Sequence, residues 1–173
     1  MLTVTQKKFL DSLGPEKLNR VVIVEPWEPA GLSLANNLVD EIQNIVPELE
    51  VVLMGSVYFK IAGEKDIDIT IYCSKPEQVN YVEKLERFLG KHTSEGKGHT
   101  GWELKKDGYN ITVYLSDPRS PNSQVQKQLF ELLQTRPDLV KEYEQIKLLA
   151  NGKTYREYQT NKYEFFNKVL NIT

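Results

Sequence analysis

A chain of 173 residues with a formal net charge of −2 is long enough for one domain with a full core. Its 22 Lys and Arg against 24 Asp and Glu give no overall pull toward nucleic acid or an anionic membrane, and the single cysteine, Cys73, excludes an intramolecular disulfide. The opening MLTVTQKKFLDSLG lacks a basic start followed by a long apolar run, and no stretch approaches a membrane span, so a cytoplasmic chain is expected.

In chain order, TVTQKKFLDSL predicts a short helix ending at Gly14, and RVVIVEP a short strand closed by Pro26. Leu32, Leu34, Leu38, Ile42, Ile45 and Val46 recur at mostly helical spacing, and Pro47 ends that helix. EVVLM and KDIDITIY follow as strands. The second places Ile67, Ile69 and Ile71 on one face and Asp66, Asp68 and Thr70 on the other. PEQVNYVEKLERFLG predicts a helix from Pro76 to Gly90. HTSEGKGHTG is a polar, glycine-rich loop, and WELKK-DG-YNITVYL a hairpin turning at Asp107-Gly108. After a loop with two prolines the chain is helical, and Thr154 with Glu157 has the spacing of a capping box. The expected class is α+β: a small mixed sheet with helices packed against it in residues 1–120, and a helical part in 121–173, together forming a single compact unit.

The two aspartates carry the chemistry. Side chains two apart on a strand point the same way, so Asp66 and Asp68 place two carboxylates on one face, about 6 to 7 Å apart. Such a pair is either a solvated polar face or a cation platform, because adjacent like charges need screening. Mg²⁺ binds through one or two carboxylates plus phosphate oxygens, and Mn²⁺ is the alternative cation. Gly55 lets backbone approach a ligand closely, and Ser56 adds a hydroxyl donor. Strand, Gly-Ser turn and D-x-D strand thus supply both halves of a metal–triphosphate site.

These residues resemble the nucleotidyltransferase superfamily that includes DNA polymerase β, through Met54-Gly55-Ser56 and Asp66-Ile67-Asp68-Ile69. More specifically, the chain resembles GrpB family proteins. That resemblance runs from VVIVEPWEP, through the helix before MGS and Lys65 leading the acidic strand, to RPDLVKEYEQIK and YQTNKYEFFNKVL. It implies a nucleotidyltransferase-type sheet and Mg²⁺-dependent transfer of a nucleotidyl group from a nucleoside triphosphate, with Asp66 and Asp68 catalytic and metal-binding, and Gly55, Ser56, Lys147 and Lys162 at the phosphates. The superfamily's polymerising members carry a third acid on a later strand. Here that strand reads YNITVY, with Asn110 and Thr112 at the degraded position. An amide or a hydroxyl is a poor base near neutral pH. Glu103, Asp107 and Asp117 are near enough in sequence to substitute, although Asp107 suits a turn and Asp117 a strand end. Phe130 stands where the family often has arginine. The alternative is a catalytically degraded protein of this fold that binds nucleotide or a protein partner.

Tyr143 and Lys147, like Tyr158 and Lys162, are i, i+4 pairs on a helix face. They are either phosphate ligands or core tyrosines with a lysine stem packed alongside. His92 and His99 flank TSEGKG without a third ligand, and Trp27 and Trp102 are more readily packing residues than base-stacking ones.

Overall fold

The structure, a computed structural model, describes residues 1–172. In chain order its elements are α1 (Val4–Ser12), α2 (Pro15–Asn19), α3 (Pro29–Ile45), β1 (Glu50–Met54), α4 (Gly55–Phe59), β2 (Asp66–Tyr72), a 3₁₀ turn (Lys75–Glu77), α5 (Val79–Leu89), β3 (Ser94–Glu95), β4 (His99–Lys106), β5 (Tyr109–Ser116), α6 (Pro121–Thr135), α7 (Pro137–Ala150) and α8 (Tyr155–Leu170). They form two compact units. One holds Trp27–Lys60 and Lys65–Lys127, and the other Met1–Pro26, Ile61–Glu64 and the chain from Gln128 onward. In the latter the N-terminal helices group with the C-terminal ones. Among the described residues no helix is long and apolar enough to cross a membrane.

The first unit is an α+β layer built on a five-stranded mixed sheet of order β1-β2-β5-β4-β3. β2 and β5 run parallel at its centre, and the other pairs are antiparallel. Strand alternation decides the two faces. Ile67, Ile69 and Ile71 are all fully buried, and they join Ile111, Val113 and Leu115 from β5. Against this face pack Ala35, Leu38 and Ile42, at helical spacing on α3, and Leu85 of α5. Burying one such aliphatic side chain is worth about 1.5–3 kcal/mol, so the isoleucine stripe fixes the strand's register. Pro29 starts α3, and Gln43 receives its end by donating to the Val46 and Leu49 carbonyls at 3.3 and 2.9 Å.

The β4–β5 hairpin turns as expected. Asp107 and Gly108 sit at φ of 50° and 81°, the positive values that a tight two-residue turn requires. The preceding polar segment is not all loop. Ser94 and Glu95 pair with Gly101 and Thr100, and the Gly96 amide donates to the His99 carbonyl, so β4 begins at His99 rather than Trp102. Pro76 lies in the 3₁₀ turn, and α5 proper starts at Val79.

The expected strand at RVVIVEP is corrected in the second unit. Residues 20–25 make only isolated bridges, Val21 with Thr154 and Glu25 with Gly63. Val22 is buried against Ala150 and Tyr158, whereas Val21 and Ile23 are 52% and 57% exposed. The β-branched run is extended, but its backbone hydrogen bonds go to the α7–α8 turn and, at Glu25, to Gly63, not to a sheet. Asn167 of α8 and Gln6 of α1 exchange side-chain amide bonds at 2.9 and 2.8 Å, and Thr154 and Glu157 form the expected capping box.

At the end of β5, Asp117 is 7% exposed. It accepts bonds from the Lys75 amide, the Arg119 amide and the Arg119 guanidinium at 2.9–3.1 Å. The guanidinium bonds first, then the two amides, hold its carboxyl well below the usual carboxylate range. A group depressed in the folded state stabilises above its unfolded value, about pH 4, and loses that contribution as pH falls toward the native value. Asp117→Asn is therefore expected to lower stability at pH 7 by about 1–2 kcal/mol and to make the loss of stability below about pH 4 shallower. Urea unfolding from pH 2 to 8 checks both, and parallel curves for the two proteins would contradict the assignment.

Candidate functional site

The face of the sheet opposite the isoleucines carries the polar residues. β1 ends at Met54, which pairs with Asp68, and α4 begins at once with Gly55. Gly55 has φ of +74°, a backbone conformation that L side chains rarely adopt. A Cβ there would stand 2.6 Å from the Asp68 carboxylate oxygen Oδ2. Ser56 is 4% exposed, and its hydroxyl donates to Asp66 Oδ1 at 3.2 Å. The Gly-Ser pair is thus the first turn of a short helix rather than a free turn. One residue packs on Asp68 and the next bonds Asp66. Both carboxylates are half-buried.

The neighbouring strands extend this pattern. Asn110 and Thr112 of β5 pair with Asp66 and Asp68, the positions expected for the degraded third acid. On β4, Lys105 pairs with Asn110 and Glu103 with Thr112. Two rows therefore cross three strands on one face, Asp66–Asn110–Lys105 and Asp68–Thr112–Glu103. Glu103 takes its place from the hairpin. Counting back from the Asp107-Gly108 turn gives its pairing with Thr112, so the sequence already held that signal. Lys65 precedes β2 at φ of 51°, and its carbonyl accepts from the Asn110 amide at 2.9 Å. Among the described residues, no group of three or more His, Cys, Asp and Glu gathers to hold a metal ion.

Lys147 and Lys162 lie in the helical unit. Lys147 is 2% exposed, and its ammonium donates to the Tyr158 hydroxyl at 2.9 Å. It also lies 5.3 and 5.5 Å from the ring centres of Tyr143 and Tyr158. Lys162 lies over Tyr158 and Phe166 at 5.8 and 5.7 Å. The two Tyr–Lys pairs therefore meet in one aromatic cluster, where ring faces offset part of the cost of burying a charge. Burial pushes the Tyr158 phenol up, which keeps it neutral.

The remaining sequence candidates have structural partners. Trp102 is buried and donates to the Gly90 carbonyl, and Trp27 donates to the Val57 carbonyl. His92 bonds Glu86 at 2.7 Å, and His99 packs edge-on against Tyr114. Burial pushes the Cys73 thiol up to about 11, so it is an inert core group.

With this geometry in view, the chain matches the model of the family described as GrpB protein over residues 21–171. A solved structure of the conserved protein GrpB from Enterococcus faecalis shares its fold, with a TM-score of 0.64 at 17% identity, covering 86% of this chain and 99% of that one. Two further solved structures are weaker likenesses. A cytoplasmic RNA terminal U-transferase gives a TM-score of 0.40 at 18% identity, over 82% of this chain and 46% of that one. The Cid1 poly(U) polymerase, with Mg and 3'-dATP bound, gives 0.45 at 14%, over 91% and 53%. At those scores the likeness bears on neither fold detail nor activity. No curated protein matches the chain.

Gly55→Ala is expected to cost roughly 1–2 kcal/mol for the left-handed backbone alone, and more as its methyl displaces Asp68. Ser56→Ala is expected to cost about 1 kcal/mol through the lost bond to Asp66. Urea unfolding of both variants measures this, and an unchanged Gly55→Ala would show that Asp68 does not press on that position.

Proposed function

Because the chain belongs to the GrpB family, we propose that its polar sheet face holds a divalent cation and the phosphates of a nucleoside triphosphate, and transfers the nucleotidyl group to an acceptor hydroxyl. One observation carries this reading: the start of α4 closes on both carboxylates at once, Gly55 against Asp68 and Ser56 on Asp66. Two half-buried carboxylates on adjacent same-face positions of one strand repel one another. A hard cation that takes carboxylate oxygens and completes its shell with phosphate suits that donor set, and Mg²⁺ or Mn²⁺ has this chemistry. When bound, such an ion neutralises phosphate charge and aligns the reacting groups.

The chain's own residues have separate tasks in this reading. Asp66 and Asp68 hold the cation. Ser56 fixes the Asp66 carboxylate by its hydrogen bond. Gly55 leaves room for a phosphate against the backbone and does not crowd Asp68. For Lys147, burial and the shared tyrosine cluster favour packing over the phosphate contacts that the resemblance implied, and half-buried Lys162 lies over the same Tyr158 ring. A cytoplasmic setting belongs to the same proposal.

A second reading is binding without turnover. Asn110 and Thr112 favour it, because they stand in register beside Asp66 and Asp68 and neither is a good base.

Calorimetry with Mg²⁺ and each of the four nucleoside triphosphates tests the site. Metal alone is expected to bind weakly and metal with triphosphate more tightly, with the synergy lost in Asp68→Asn while its unfolding curve stays cooperative. Equal binding by wild type and Asp68→Asn would remove the two aspartates from the site.

A further inference from the structure

We propose that Glu103 is the general base of this site and stands in, from strand β4, for the acid that β5 lacks. The inference rests on the reading of Asp66 and Asp68 as the cation platform, and adds the group that takes the proton. Three carboxylates flank the β4–β5 hairpin. Asp107 occupies its turn, at φ of 50°. Asp117 is held at the far end by Arg119 and the Lys75 amide. Glu103 alone of the three lies in a row with the platform: it pairs with Thr112, and Thr112 pairs with Asp68.

Paired residues on neighbouring strands project from the same face, so Asp68, Thr112 and Glu103 all point to the polar side. Two inter-strand steps separate the α-carbons of Asp68 and Glu103 by about 10 Å. The short Thr112 side chain lies between them. An acceptor hydroxyl over Thr112 would have the platform on one side and the Glu103 carboxylate on the other. A base needs that place, within reach of the attacking oxygen and outside the cation's own ligands. On the same face Glu103 is flanked by Lys105 two residues along β4, with Asn110, Thr112 and Tyr114 on β5, Asp66 and Asp68 beyond them on β2, and His99 further along β4. Lys105 is the nearest cation along its own strand.

The acceptor oxygen forms a bond to the α-phosphorus, the bond from that phosphorus to the bridging oxygen breaks, and pyrophosphate leaves with the electron pair. The acceptor's proton passes to the Glu103 carboxylate.

The test uses the full chain with Mn²⁺, each of ATP, GTP, CTP and UTP, and water as the acceptor. Pyrophosphate release is followed against pH, and nucleotide binding by calorimetry in parallel. Glu103→Gln is expected to keep Mn²⁺–triphosphate affinity within about twofold. Its rate should fall by about 10²–10⁴-fold, with loss of the unit slope of log rate against pH on the acid side. Asp107→Asn is expected to leave rate and slope unchanged. Wild-type rate and slope in Glu103→Gln would overturn the proposal, as would wild-type protein that binds nucleotide but releases no pyrophosphate. Both results leave the cation platform standing. Failure of wild-type protein to bind Mn²⁺–triphosphate would overturn the platform and the base together.

Discussion

The polar face of the sheet depends on one close approach, between the α-carbon of Gly55 and the carboxylate of Asp68. Any side chain at residue 55 would need both an unfavourable backbone angle and the space that the carboxylate occupies. With glycine there, β1 turns directly into α4, and the next residue delivers its hydroxyl to Asp66. The contact holds only if β1 and β2 keep their register. The isoleucine stripe on the other face supplies that, since a slip of one residue would turn Ile67, Ile69 and Ile71 out of the core. Burial on one face thus positions charge on the other.

Strand parity made much of this legible from sequence. The alternation in KDIDITIY separates the isoleucines from the aspartates without any knowledge of neighbours, and the Asp107-Gly108 turn sets the register of β4 against β5. The Gly-Ser motif signals close backbone approach, but the group that stands against Gly55 here, the Asp68 carboxylate, does not follow from the motif. Whether Ser56 faces a ligand or Asp66 depends on the helical start at Gly55, which a five-residue helix hardly signals. RVVIVEP shows where local pattern fails. Its β-branched residues give an extended chain, yet its partners are Gly63 and the α7–α8 turn some 130 residues later, and no local rule names them. The two Tyr–Lys pairs were each visible on a helix face, whereas their merger into one cluster required the packing of α7 on α8.

In the proposed reading, binding and chemistry fall to different strands. Asp66 and Asp68, two apart on one face of β2, would hold the cation with phosphate completing its shell. Proton transfer needs a group one or two strands away, and the strand beside them offers only an amide and a hydroxyl. A chain of this kind can keep the first property while losing or relocating the second. Family membership and a shared fold leave that choice open, because function resides in the site and not in the architecture.

The most direct measurement of the central claim is a crystal structure with Mn²⁺ and a non-hydrolysable nucleoside triphosphate, with the metal located by its anomalous scattering. The expected result is an anomalous peak bonded to oxygens of both Asp66 and Asp68, with phosphate oxygens completing the shell and a phosphate against the Gly55 backbone. A triphosphate bound elsewhere, or a metal that ligates neither aspartate, would contradict it.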